Sequence, residues 1–271
     1  MNVPTIRIAT RASAQAVTQA EHALPADVPL HTIGGQGVFV KEVQLAVLDG
    51  RADVAVHSAK DLPTTPHEGL TIGAYTKRRT ASDALIGRSL VDLAGGATVA
   101  TGSVRRRAQL HRARPDLNFA ELRGNIHTRL RKVPAGGAIV MAVAALEVLG
   151  LTEHIAERLD PAEFVPAVGQ GCVAVECRDR DRRLLEALEQ IDHRATRDEV
   201  GIERAFLAEL GSGCSLPVGA HVDAGKLYTF LADERSTIIV SDTIELSGDL
   251  DNDIEVAAGA ARSARDHVTG R

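Results

Sequence analysis

Arginines set the chemistry that this sequence can do. Residues 102–133 hold nine Lys or Arg against two acids, a local charge of +7 in a chain whose formal net charge is -5. Thr101, Gly102 and Ser103 close an apolar segment and open one with helical spacing, so Ser103 is a natural N-cap. Arg105 and Arg106 fall in the first turn of that helix, where the helix dipole also favours anions. Arg123, Gly124 and Asn125 repeat the arrangement after the next strand, with Arg129 near a second helix start. A guanidinium is a planar fork that matches carboxylate or phosphate. Two such loops suit a ligand with several anionic groups. Arg107, Arg112, Arg114, Arg131 and Lys132 read as solvated surface.

Asp61 follows Lys60 at the end of a short buried-type strand, 53–57. A carboxylate there can cap the following turn or pair with Lys60; facing an arginine-lined cleft, it can hold an amine or steady a developing cation. Cys214 lies between Gly213 and Ser215 in a loop that also contains Gly211 and Gly219, where a thiol can be approached as a nucleophile or attachment point, or can be inert. Cys172 and Cys177 share one strand and read as packing residues. The ten His show no zinc-ligand spacing, and no phosphate-binding glycine loop follows an expected strand, so neither a metal nor a nucleotide is indicated.

The elements that must position these groups alternate. Strands are expected at 5–10, 53–57, 97–101, 118–122, 138–145 and 172–177, and helices at 13–23, 38–48, 103–113, 128–133, 181–191 and 199–210. Three alternating runs at 219–222, 227–232 and 237–240 and a helix at 254–268 complete the chain. Strand–helix alternation predicts an α/β fold with mostly parallel sheets. The basic stretch 75–82 reads as a crossover between domains, and the returning strand at 172–177 as rejoining the first sheet. The expected division is domain 1 at 1–76 and 170–190, domain 2 at 77–169, and a small α+β domain 3 at 191–271. The acidic stretch 242–255, with six acids and no base, reads as solvated surface.

Composition narrows the function classes. At 271 residues, 44% hydrophobic and 25% charged, the chain reads as an ordinary globular protein. An aromatic content of 3% argues against base stacking, and negative total charge without a recognised motif argues against nucleic acid. No membrane-length apolar run or leader is apparent and the cysteine count is odd, so a cytoplasmic protein with reduced thiols is expected.

In order along the chain stand RIATRAS (7–13), GGQGVFVKE (34–42), DGRADVAVHSAKDLP (49–63), TGSVRRRAQL (101–110), LRGNIHTRLRK (122–132), PAVGQG (166–171) and GSGCSLPVGA (211–220). This series resembles the porphobilinogen deaminase, or hydroxymethylbilane synthase, family over nearly the whole chain. The resemblance implies two α/β domains like those of periplasmic solute-binding proteins, plus the small α+β C-terminal domain. It implies the addition of four porphobilinogen molecules in turn with loss of ammonia, on a dipyrromethane cofactor joined to Cys214 through a thioether; a monomer is expected. Asp61 matches the family's catalytic aspartate. Lys60, Ser103, Arg105 and Arg106 match cofactor contacts, Arg11, Ser13, Arg123 and Arg129 match substrate contacts, and 34–37 matches a mobile loop.

Departures accompany the resemblance, among them the absence of the family's usual Pro-Leu after Ser13. Only residues 21–33 separate the first helix from GGQG, where the family has a further strand, so a strand of the first sheet is expected to be missing. Thr32 and Gln36 stand where many members have lysines. Glu147 and Val148 replace a basic pair, so one carboxylate-binding arginine is expected to be lost. The competing readings are an anion-binding protein that has lost the chemistry, and a nucleic-acid binder using residues 102–133.

Overall fold

The computed structural model describes residues 6–11, 13–23, 40–211 and 216–270. In chain order its first elements are β1 (Ile8–Ala9), α1 (Ala14–Ala23), α2 (Val40–Leu48), β2 (Val54–Ser58), β3 (Leu70–Tyr75) and β4 (Asp83–Ile86). There follow β5 (Thr98–Ala100), α3 (Val104–Ala113), β6 (Asn118–Ala120), α4 (Ile126–Leu130), β7 (Ala138–Ala142), α5 (Val143–Val148), β8 (Ile155–Arg158) and β9 (Val173–Arg178). The last are α6 (Arg182–Glu189), α7 (Arg194–Glu209), β10 (Val218–Asp223), β11 (Lys226–Ala232), β12 (Ile239–Glu245) and α8 (Leu250–Thr269). The chain falls into two units, Met1–Arg79 with Cys172–Asp198, and Thr80–Gly171 with Glu199–Arg271.

In the first unit the sheet order is β1-β2-β9-β3. Strand β2 opens with the apolar residues Val54, Ala55 and Val56 because both of its faces are covered. Val54 and Val56 pack with Ala20, Ala23, Leu184 and Leu188, whereas Ala55 packs with Val43, Ala46 and Val47 of α2. The returning strand does rejoin this sheet, as β9 between β2 and β3, and it is antiparallel to both.

The second unit holds a sheet of order β6-β5-β7-β4-β8, parallel from β6 to β7 and antiparallel on both sides of β4. The α/β reading holds, but the sheets are mixed: pairing is parallel where a helix connects neighbouring strands and antiparallel around β4 and β9. The same unit contains the antiparallel sheet β10-β11-β12. Ala220, Val222 and Leu227 pack there with Ala257 and Ala261 of α8, while Phe230 and Ala232 pack with Ala108 and Val165.

Several expectations are corrected. The run 138–145 is not one strand: β7 ends at Ala142 and α5 begins at Val143. Most of that run is buried in strand and helix alike, so its apolar pattern carries no period. Strands β3, β4 and β8 were not anticipated, β4 because a charged residue, Asp83, opens it in a buried position. Asp253 is not solvated surface. It is buried and accepts from Ser247 N, Ser247 Oγ and Gly248 N at 2.8, 2.8 and 3.0 Å, tying the turn before α8. Among the described residues no helix is long and apolar enough to cross a membrane. The segment where a strand was expected to be missing and the loop 34–37, with Thr32 and Gln36, lie outside the described residues.

Candidate active site

In the first unit, buried β2 runs into a single 3-10 turn, Ala59–Asp61, which leaves Asp61 exposed and Lys60 half-buried at the strand's carboxyl end. Arg11, two residues beyond β1, donates from Nη1 to Asp61 Oδ2 at 3.2 Å. Both side chains keep contact with water, at 50% and 40% exposure. Ser13 caps α1, its Oγ accepting from Ala16 N at 3.2 Å. Thr10 Oγ1 donates to Val56 O and Ser58 Oγ to Gln19 Oε1, so the β1–α1 loop is fastened to β2 just before the turn that carries Asp61.

In the second unit two strand-to-helix loops touch. A Cβ on Gly102 would stand 2.9 Å from the Leu122 carbonyl, so only glycine allows the loop after β5 to approach the loop after β6 this closely. Ser103 caps α3 by accepting from Arg106 N at 3.4 Å, as the sequence led one to expect, and Asn125 caps α4 by accepting from Thr128 N at 2.9 Å. Arg129 Nε donates to Gly124 O at 2.7 Å, and Gly124 holds a φ of +121° that side-chain-bearing residues rarely adopt. Arg123 projects outward, 88% exposed, with Glu121 3.8 Å from its Nε.

Arg105 and Arg106 have a different environment, one the sequence reading missed. Arg105 is buried, with Nη2 2.7 Å from Asp83 Oδ2 and Nη1 donating to Val165 O. Arg106 donates from Nη2 to Asp83 Oδ1 at 2.6 Å, and Gln170 Nε2 donates to the same oxygen at 2.8 Å. Burial opposes ionisation of Asp83, yet the charges of Arg105 and Arg106 outweigh it and hold the carboxyl far below its ordinary range. Burial, with repulsion from Arg106, pulls Arg105 below its usual value against the attraction of Asp83. Two guanidinium groups against one carboxylate leave an excess of one positive charge. The signal for Asp83 was present in the sequence as an acid standing directly before the apolar run 84–86.

Arg114 is also not solvated surface. It donates to Leu90 O and Leu93 O at 2.8 and 3.0 Å and makes a bidentate pair with Asp116. Arg107 lies over Phe119 and Arg112 over Phe230. Glu147 accepts from Thr80 Oγ1 at 2.6 Å and Arg158 Nη1 at 3.4 Å, and Val148 is buried, so the segment that departs from the family is used for local packing. Cys172 and Cys177 are buried, and burial pushes the Cys177 thiol up to about 11. Cys214 lies outside the described residues. Among the described residues no cluster of three or more His, Cys, Asp or Glu could hold a metal.

The family models and the curated relatives point one way. A family model described as "Porphobilinogen deaminase, dipyromethane cofactor binding domain" matches residues 6–186, and one described as "Porphobilinogen deaminase, C-terminal domain" matches 198–262. The chain is 45% identical over 232 residues to the porphobilinogen deaminase of Nitratidesulfovibrio vulgaris strain DP4, covering 82% of this chain and 74% of that relative. It is 43% identical over 248 residues to a probable porphobilinogen deaminase of Methanopyrus kandleri, covering 81% and 83%. Among solved structures, a TRAP periplasmic solute binding protein from Desulfovibrio salexigens matches with a TM-score of 0.41 at 12% identity, over 71% of this chain and 73% of that one.

Proposed function

The chain belongs to the porphobilinogen deaminase family, and from that premise we propose that it joins four porphobilinogen molecules head to tail, with loss of ammonia, and releases hydroxymethylbilane on hydrolysis. It does so as a cytoplasmic monomer, carrying a dipyrromethane attached through the Cys214 sulfur. The observation that carries this reading is the pairing of a water-exposed Asp61, at the end of a buried strand, with the guanidinium of Arg11. That acid stands on a short 3-10 turn at the end of a buried strand, where a ligand can reach it.

The donor set fits an oligopyrrole with carboxylate side chains: arginine forks are matched to carboxylates, and the buried cluster at Arg106 carries net positive charge. When bound, the dipyrromethane supplies the free pyrrole carbon to which the incoming unit is joined. At each addition the C–N bond of porphobilinogen would break, a C–C bond would form in place of the C–H bond at the free pyrrole carbon, and the proton released there balances the one taken by the amine as it leaves as ammonia. Asp61 steadies the cation left on the incoming pyrrole, and the backbone turn 59–61 fixes where that charge is placed. Arg11, Arg123 and Arg129 receive substrate carboxylates, with Ser13 holding the Arg11 loop through its cap. Lys60, Ser103, Arg105 and Arg106 serve the cofactor, Ser103 by capping the helix that bears the two arginines.

Intact-protein mass spectrometry tests the reading. After porphobilinogen is supplied, the chain is expected to gain the mass of one dipyrromethane, and Cys214→Ala is expected to abolish the gain. A wild-type chain that stays unmodified and forms no bilane overturns it.

A further inference from the structure

The twin arginines of α3 are neighbours in sequence but not equals in the structure. Arg105 has both terminal nitrogens committed inward, one to Asp83 and one to the Val165 carbonyl, and it is only 4% exposed. Arg106 gives one terminal nitrogen to Asp83. Its other one reaches the Val140 carbonyl only at 3.4 Å, and its Nε–H is buried with no acceptor among the described residues. Asp83 joins the two by splitting its oxygens, Oδ2 to Arg105 and Oδ1 to Arg106, and Gln170 Nε2 fixes Oδ1 from the other side while also donating to Ala81 O.

A buried N–H without a partner is costly to maintain, and a buried guanidinium sharing half a carboxylate is under-neutralised. Both deficits fall on Arg106, whose side chain keeps 11% exposure, and a ligand carboxylate at its open edge would supply the missing counter-charge. We propose that Asp83 is a positioning residue that divides the pair, locking Arg105 into the interior as the fixed member and aiming Arg106 as the one that takes a carboxylate of the pyrrole chain. Gln170 holds Asp83 in the orientation that makes this division. The inference rests on the family reading above.

The test follows the rate at which chain lacking the cofactor gains pyrrole mass on addition of porphobilinogen, with the thermal midpoint measured on the same samples before loading. Arg106→Gln is expected to slow loading at least tenfold and to move the midpoint little. Arg105→Gln is expected to lower the midpoint more than Arg106→Gln does and to slow loading less. Asp83→Asn is expected to slow loading in the parent chain, and to add no more than about a twofold effect when Arg106→Gln is already present. Equal slowing by Asp83→Asn in both backgrounds overturns the proposal. If Asp83→Asn does not fold, the two arginine variants decide alone: matching losses in loading and in midpoint overturn it. Failure of the parent chain to gain any pyrrole mass instead defeats the family reading.

Discussion

Two of the aspartate–arginine constellations among the described residues, one in each unit, are built to opposite specifications. In the first unit Asp61 meets Arg11 through one contact of 3.2 Å, with both groups in touch with water. In the second, Asp83 is 1% exposed, and its oxygens are shared among Arg105, Arg106 and Gln170 at 2.6 to 2.8 Å. The same ion types therefore sit in very different dielectrics. An exposed pair gains little from its attraction and changes partners at little cost. A buried pair is worth keeping only if its donors and acceptors are satisfied, and it resists rearrangement once they are. The first specification suits an acid that must meet a succession of cationic groups, the second a scaffold that must not move while anions arrive.

The buried constellation is where that contrast is most easily broken. Asp83→Ala leaves two guanidinium groups facing each other without their counter-ion, and unfolding by calorimetry is expected to show a loss of about 3–5 kcal/mol, a midpoint lower by on the order of 10 °C. The pH dependence carries a sign. Because the folded-state pKa of Asp83 is depressed, its contribution is complete above the unfolded-state value and is lost as acid titrates toward the folded one. The gap between parent and variant is therefore expected to be constant from neutrality down to about pH 4 and to narrow only below it. A gap that closes between pH 7 and 5 would mean that other groups hold the arginines apart.

Asp61→Asn sharpens the same comparison from the other side. It keeps shape and hydrogen bonding but removes the charge, so kcat is expected to fall by about 10²–10³ while pyrrole loading persists. Because Asp61 is solvated, the thermal midpoint should hardly move. A variant that turns over normally, or one that unfolds easily, would erase the distinction between a reacting acid and a structural one.

How much of this was legible in the sequence depended on whether a side chain's surroundings are local. The cap at Ser103 was expected from the adjoining segments, since a cap reaches only three residues onward, whereas the Asn125 cap was not, because the second helix starts at Ile126 and not at 128. What could not be read was the fate of Arg105, because its partners Asp83 and Val165 lie 22 and 60 residues away. Strand β4 was missed for the same reason. Asp83 looks like a surface residue until the strand is paired between β7 and β8 and the helix bearing its counter-ions is laid beside it. Arg114 failed in the other direction: a charged residue at a helix end looks solvated, yet two loop carbonyls and Asp116 occupy its fork.

The smallest expected effect is also the one that separates the two constellations most finely. Arg11→Gln removes the partner of Asp61, and if that pair is as loosely held as its exposure indicates, the stability cost should stay below ~1 kcal/mol and shrink further in high salt. The same change takes away a fork proposed to receive a substrate carboxylate, a charge-assisted contact worth about 1.5–3 kcal/mol, so KM should rise by roughly ten-fold or more. Thermal melting and steady-state kinetics on one preparation read both quantities. If stability falls as far as it does in Asp83→Ala, Arg11 is a structural brace for the Asp61 turn, and the exposed pair belongs with the buried one. If KM rises and stability holds, the energy of Arg11 goes into meeting the ligand, and the contrast between an acid kept free and an acid kept fixed survives at its weakest point.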